Sequence, residues 1–440
     1  MPRVVVISPP FRSHAQPLSV LARSLCGVGA DVVFASTPEF ADLAGGLDFV
    51  PLRTTRNANT GVAQSTAQDA DSARRLDEFL DSTRRGPVAA LLTQTTHRRA
   101  DMLDAPEDVL ADVAALHERL RPDWYLVDQL NYAVTLALHA LGLPYASFCP
   151  GHPTYLVARD DQFFGLPQLW PSAVAPDEGE LAALREATRL TDLRFTGLFA
   201  DFVRRHAPDR PAPGRAFALT SPHAAVLNYP PFPWLPPLPD GPEHVFLGHC
   251  SDSDPLDGAW RARIRGRRVV LVALGTFLSA RDDVLRTAVT GALSIPDVTV
   301  VVAGGARVAA LADLAADPRV VLEAVVPQRA LLPHVAAIVH HGGNNTFTEA
   351  LEAGVPALVL PFSSDQFCVA HDAERSGAGV CLDPNALTPE QVTTAVRGLL
   401  DRGRTPRLRA LRDGVRAAGP DRGAARLVQV LDRRVSRTPR

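Results

Sequence analysis

The stretch from Val335 to Pro356 constrains this chain more than any other. An apolar run, Val335-Ala336-Ala337-Ile338-Val339, has the length and β-branching of a buried strand. His340-His341-Gly342-Gly343-Asn344-Asn345-Thr346 comes next, then helix-forming residues from Phe347 to Ala353, closed by Gly354 and by Pro356. A strand, a glycine turn and a helix N-terminus in that order let exposed backbone N–H groups and the helix dipole meet an anion. The two glycines permit close backbone approach, while His341, Asn345 and Thr346 add side-chain donors. These residues describe a phosphate cradle that lacks the lysine of a P-loop. A phosphate turn of another α/β enzyme, or a helix start with buried histidines, would read the same way.

The rest of the chain repeats the strand–helix alternation. Residues 3–8 predict a first buried strand, a helix from about Ala15 to Gly27 and a second strand from Asp31 to Ala35, a doubly wound α/β opening. The polar stretch from Arg53 to Asp104 reads as long loops and short helices over a cleft. A strand from Trp124 to Val127 ends at Asp128, and Tyr145 to Cys149 forms another. Further strands are expected at 268–273, 298–302, 319–322, 335–339 and 357–360. A length of 440 residues implies two domains. The expected division is residues 1–225, a proline-rich linker at 226–244, a second domain at 245–400 and a helical tail at 401–440.

Composition narrows the function classes. A net charge of −3 gives no general attraction to nucleic acid or anionic membrane. All 45 basic residues are arginine, so lysine Schiff-base chemistry is excluded. Five scattered cysteines without a CxxC pair fit a reducing compartment. No apolar run is long enough to span a bilayer, and the expectation is a cytoplasmic protein.

Pro327-Gln328, His341-x-Gly343-x-Asn345-Thr346-x-x-Glu349, Gly354-Val355-Pro356 and Asp365-Gln366, in this order, resemble the donor-binding signature of inverting nucleotide-sugar-dependent glycosyltransferases. That resemblance implies the GT-B fold, with two Rossmann-like doubly wound domains facing a cleft and a last helix crossing back to the first domain. It implies a nucleotide-sugar donor with UDP or dTDP, a small and apolar natural-product acceptor, and no metal or other cofactor. Donor contacts are implied for Gly275, Thr276, Val326, Gln328, His341, Gly343, Asn345, Thr346, Glu349, Asp365 and Gln366. Glu349 would take the ribose, while Asp365 and Gln366 would take hydroxyls of the donor sugar. Ala324, Val325 and Val326 stand where many plant relatives carry a stacking tryptophan.

Ser13-His14-Ala15-Gln16-Pro17 keeps the histidine and proline of the family's Gly-His-x-x-Pro and replaces its glycine. An imidazole is suited to taking a proton from an acceptor hydroxyl near neutral pH. Asp128, ending a parallel strand of the same domain, would orient it. Capping or surface roles for His14 and Asp128 are the alternatives. Asp69-Ala70-Asp71 and Asp252-Ser253-Asp254 spell the DxD of metal-dependent glycosyltransferases but lie in polar stretches and read as solvated loops. His340 points to the face opposite His341 and reads as packed. A nucleotide-sugar epimerase, or a non-catalytic sugar-nucleotide-binding helper on the same architecture, would share most of these features.

Overall fold

The computed structural model describes residues 1–54, 70–252 and 255–435. Two parallel sheets, each covered by helices, make two doubly wound domains. The first sheet holds seven strands in the order β3-β2-β1-β4-β5-β6-β7. They are β1 (Arg3–Ile7), β2 (Asp31–Ser36), β3 (Asp48–Pro51), β4 (Trp124–Asp128), β5 (Tyr145–Cys149), β6 (Ala224–Leu227) and β7 (Glu243–Phe246). The second holds β8 (Arg268–Ala273), β9 (Val298–Ala303), β10 (Val320–Glu323), β11 (Ala337–His340), β12 (Ala357–Val359) and β13 (Gly379–Cys381), in the order β10-β9-β8-β11-β12-β13. Central strands read as unbroken runs of Val, Ile and Leu because both of their faces are covered. Val4, Val5, Val6 and Ile7 are all fully buried, as are Val270, Leu271 and Val272.

Each sheet reverses its winding once, and the two reversals carry the site. In the first sheet the order turns at β1 and β4, whose registers pair Ile7 with Val127. In the second it turns at β8 and β11, where Ala273 pairs with His340. Crevices open beyond the carboxyl ends of strands at such points, and ligands of open α/β sheets collect there.

Three sequence expectations differ from the structure. The first helix, α1 (Arg12–Gly27), begins earlier than Ala15 and places His14 within its opening turn. The region read as loops and short helices contains two 16-residue helices, α2 (Ala70–Arg85) and α3 (Pro87–Met102). On α2 the large apolar residues are only Leu76, Phe79 and Leu80, and half of the helix is charged. Arg74 pairs with Glu78 one turn on, and Arg74 and Arg75 both reach back to Asp71, so the helix is supported by side-chain pairs.

The third difference is at the proline-rich segment. Its flanks are strands β6 and β7 of the first sheet, and the prolines form the loop between them. Tyr229 and Phe232 of that loop are buried in the core of the second domain, with Trp234 packed alongside. The segment read as a linker is therefore a plug between the domains, and the covalent crossing comes after Phe246. The chain returns at its end. Helix α14 (Pro406–Val435) packs Leu408 and Val415 on the second domain, bends at Gly419-Pro420, and packs Ala424, Leu427 and Leu431 on the first. Gly419 has φ 61° and ψ 162°, a conformation open to glycine, and Pro420 adds the missing N–H that breaks the helical ladder. Among the described residues no helix is long and apolar enough to cross a membrane.

Candidate active site

His14 and Asp128 meet at the first winding reversal. Asp128 is fully buried at the end of β4, and its Oδ2 lies 2.9 Å from His14 Nδ1. Its Oδ1 accepts the Leu130 N–H at 2.9 Å, which fixes the carboxylate plane. A carboxylate accepts, so Nδ1 carries the proton and Nε2 keeps its lone pair. The His14 side chain retains 19% exposure.

At the second reversal, β11 delivers His341 into the glycine turn and α11 (Asn344–Ala353) begins with Gly343 as its N-cap. The His341 ring lies between two glycines. A Cβ on Gly343 would sit 2.4 Å from His341 Nε2, and one on Gly275 would sit 2.8 Å from His341 Cε1. Gly275 also has φ +75°, so both glycines are required by the same imidazole. Burial pushes His341 down from 6.5 to about 4, opposed in part by the Ala273 carbonyl. The ring is thus neutral at physiological pH, carries a single N–H, and lies beside the first-turn N–H groups of α11. His340 is fully buried and its Nδ1 accepts the Gly342 N–H at 3.0 Å, so it shapes the turn and stands apart from His341.

The middle of α11 carries the ribose candidate, Glu349. Gln328 Nε2 donates to Glu349 Oε2 at 2.9 Å and to Thr346 Oγ1 at 3.2 Å, joining three of the sequence-derived donor residues into one cluster. Arg329 approaches Glu349 at 3.9 Å. Burial raises the Glu349 carboxyl from 4.5 to about 7, against the lowering effects of Gln328 and Arg329. A raised carboxyl binds its proton more tightly in the folded state, so this group costs stability progressively as pH rises from 4.5 to about 7. Ribose hydroxyls donate best to the ionised form. Nucleotide-sugar affinity should therefore increase from pH 6 to pH 8, with proton release on binding, and Glu349→Gln should flatten the dependence. Calorimetry in two buffers of different ionisation enthalpy checks this, using a diphosphate ester because it has no phosphate proton in that window.

The remaining predicted residues are less uniform. Val326 is half-buried against the second core, whereas neighbouring Val325 is 80% exposed. Gly275 starts the short helix Gly275–Leu278, which also contains Thr276. Asp365 accepts the backbone N–H of His152, a residue of the first domain, at 2.8 Å. Gln366 turns inward: its Oε1 accepts from Phe362 N at 2.9 Å and Ser363 N at 3.2 Å, which holds the loop presenting Asp365. Asn345 reaches across the cleft, donating to the Ser13 carbonyl at 2.7 Å and accepting from Asn228 at 3.0 Å. Of the DxD residues, Asp71 pairs with Arg74 and Arg75, and Asp252 pairs with Arg23. Asp69, Ser253 and Asp254 lie outside the described residues.

Sequence reasoning missed a second set of cross-domain partners. Asn344 donates to the carbonyls of Pro150 and Asn228 at 2.8 and 2.9 Å. Gln94 on α3 exchanges two hydrogen bonds with Ser364. Arg281 and Asn385 both donate to the Thr83 carbonyl at the end of α2. The His14–Asp128 pair at one reversal and the glycine turn at the other are thereby held face to face.

Comparison with known proteins gives the same architecture. Residues 287–419 match the family described as erythromycin biosynthesis protein CIII-like, C-terminal domain. The chain is 27% identical over 413 residues to 4'-demethylrebeccamycin synthase of Lentzea aerocolonigenes, spanning 91% of this chain and 92% of that protein. It is 26% identical over 429 residues to demethyllactenocin mycarosyltransferase of Streptomyces fradiae, spanning 96% of this chain and 85% of that one. The spinosyn rhamnosyltransferase SpnG, solved with thymidine diphosphate, superposes with a TM-score of 0.62 at 22% identity, covering 98% of this chain and 100% of that one. The chain is a glycosyltransferase with the GT-B fold. In this glycosyltransferase, His14 and Asp128 belong to one domain and the glycine cradle to the other, so the site exists only where the two halves meet.

Proposed function

We propose that the protein is an inverting glycosyltransferase that moves a sugar from a dTDP- or UDP-sugar to a hydroxyl of a small, apolar natural-product acceptor, in the cytoplasm and without a cofactor. The 2.9 Å contact between His14 and Asp128, facing the N-terminus of α11, carries this reading. His14 Nε2 takes the acceptor proton while the acceptor oxygen attacks the anomeric carbon from the face opposite the diphosphate. Asp128 holds the tautomer that leaves Nε2 free and stabilises the imidazolium as it forms. The bond from the anomeric carbon to the diphosphate oxygen breaks as the new glycosidic bond forms, and the nucleoside diphosphate departs.

Charge develops on the leaving diphosphate, where the cradle already points. His341, the Thr346 hydroxyl and the first N–H groups of α11 are fixed donors that need no reorganisation during the reaction. These groups can take up the developing charge without a divalent ion. A relative that carries a mycarosyl name and a neighbour solved with thymidine diphosphate support a dTDP-sugar as donor.

Calorimetric titration with dTDP, UDP, GDP and NAD in the presence of EDTA tests the reading. Binding of dTDP or UDP, weakened at least about tenfold in His341→Ala (the loss of one charge-assisted hydrogen bond), is expected. Failure of every nucleotide to bind under these conditions would sink the donor assignment.

A further inference from the structure

His152 lies at the end of β5, two strands from His14, and none of its ring is exposed. Its Nδ1 accepts the Thr154 N–H at 3.2 Å, so the ring proton sits on Nε2. Nε2 lies 3.1 Å from Asp372 Oδ2, on α12 (Gln366–Ser376) of the second domain. The same carboxylate accepts the Tyr229 hydroxyl at 2.9 Å, the Trp234 indole N–H at 2.8 Å and His371 Nδ1 at 3.0 Å. The Tyr229 ring packs edge-on against the imidazole, with centroids 4.9 Å apart. At the other end of the residue, the His152 backbone N–H donates to Asp365 Oδ2 at 2.8 Å. One residue of the acceptor domain therefore grips both ends of a single donor-domain segment, with Asp365 just before α12 and Asp372 two turns along it.

The geometry points to His152 as a positioning residue that presents Asp365 to the donor sugar, an inference that rests on the donor reading given above. The imidazole ties the 151–155 turn to Asp372, and this anchorage aims the backbone N–H at one oxygen of Asp365. Tyr155 also hydrogen-bonds the Asp365 side chain, and the lone pairs of the carboxylate that remain are left for a sugar hydroxyl. Gly151 belongs to the same device. A Cβ there would meet Asp365 Oδ2 and the Tyr155 ring, each at 2.6 Å, so only glycine lets the carboxylate come this close. The sugar is then read only when both domains are docked, because half of the reader's support comes from the opposite domain.

The test compares calorimetric affinities for dTDP-glucose and UDP-glucose with those for dTDP and UDP, in the unmodified protein and in His152→Ala, His152→Gln and Gly151→Ala. A merely structural role would weaken both ligands together. The expected result is an approximately tenfold loss of the preference for sugar-bearing over bare nucleotide in His152→Ala and Gly151→Ala, the equivalent of one charge-assisted hydrogen bond, with bare-nucleotide affinity kept within about twofold. His152→Gln, whose amide can reach Asp372, should recover most of the preference. Unfolding curves identify any variant that has lost its fold. A preserved preference in both His152→Ala and Gly151→Ala would overturn the role of His152, as would equal losses for sugar-bearing and bare nucleotides in folded variants. Absence of nucleotide binding by the unmodified protein would overturn the donor reading as well.

Discussion

Replacing His14 with alanine should lower turnover about 10²–10⁴-fold, the range for loss of a general base, while leaving nucleotide binding within about twofold, since no interaction with the diphosphate is removed. The separation follows from geometry. His14 stands on the acceptor side at the β1–β4 reversal, whereas the diphosphate cradle is built on β8 and β11. Asp128→Asn should approach the cost of His14→Ala, because its one side-chain oxygen is taken by the Leu130 N–H and its amide N–H then faces Nδ1, which selects the tautomer with Nε2 protonated. Full turnover in His14→Ala, measured with an acceptor found by screening, would remove His14 from the reaction.

The second large effect concerns stability. Asp372→Ala should destabilise the protein by about 3–5 kcal/mol, the cost of removing one partner from a buried charged network, because His152, Tyr229 and Trp234 are left as buried donors with no acceptor. Burial alone would raise the Asp372 carboxyl, but hydrogen bonds from His152, His371 and Trp234 outweigh it and hold the group well below the ordinary value of 3.8. A depressed carboxyl contributes stability that is complete above its unfolded value and is lost as pH falls through the folded one. The unmodified protein should therefore lose this contribution only in strong acid, below pH 3.8. Urea unfolding of Asp372→Ala at neutral pH checks the prediction, and an unchanged midpoint would show that the network is dispensable.

The features legible in the sequence were those written locally. The run from Val335 to Thr346 states its own strand and turn, and each glycine in it answers to a neighbour only a few positions or one strand away. His14 and Asp128 were legible because each follows a recognisable strand end, and parallel strands put such ends on one rim. What was hidden depends on partners far along the chain. β6 has four residues, and nothing in Ala224–Leu227 says that its neighbour is β5 and not a strand of the second domain. The prolines after it look like a spacer until Tyr229 and Phe232 are seen inside the opposite core. Helix α2 was obscured because three large apolar residues in 16 are a weak periodic signal, and its support comes from charge pairs. His152 left one usable sign: Pro150-Gly151-His152-Pro153 follows β5 just as Asp128 closes β4, on the same rim of the same sheet.

The course of α14 sets how the two halves can move. The backbone leaves the first domain after Phe246 and comes back through the bend at Gly419-Pro420, so the second domain hangs from the first at two separate points. A body held by two pins can swing about the line that joins them, but it resists turning about any other axis. Any opening between the halves would in this way be confined to a single arc, and the contact of Asn345 with the Ser13 carbonyl would mark its closed end.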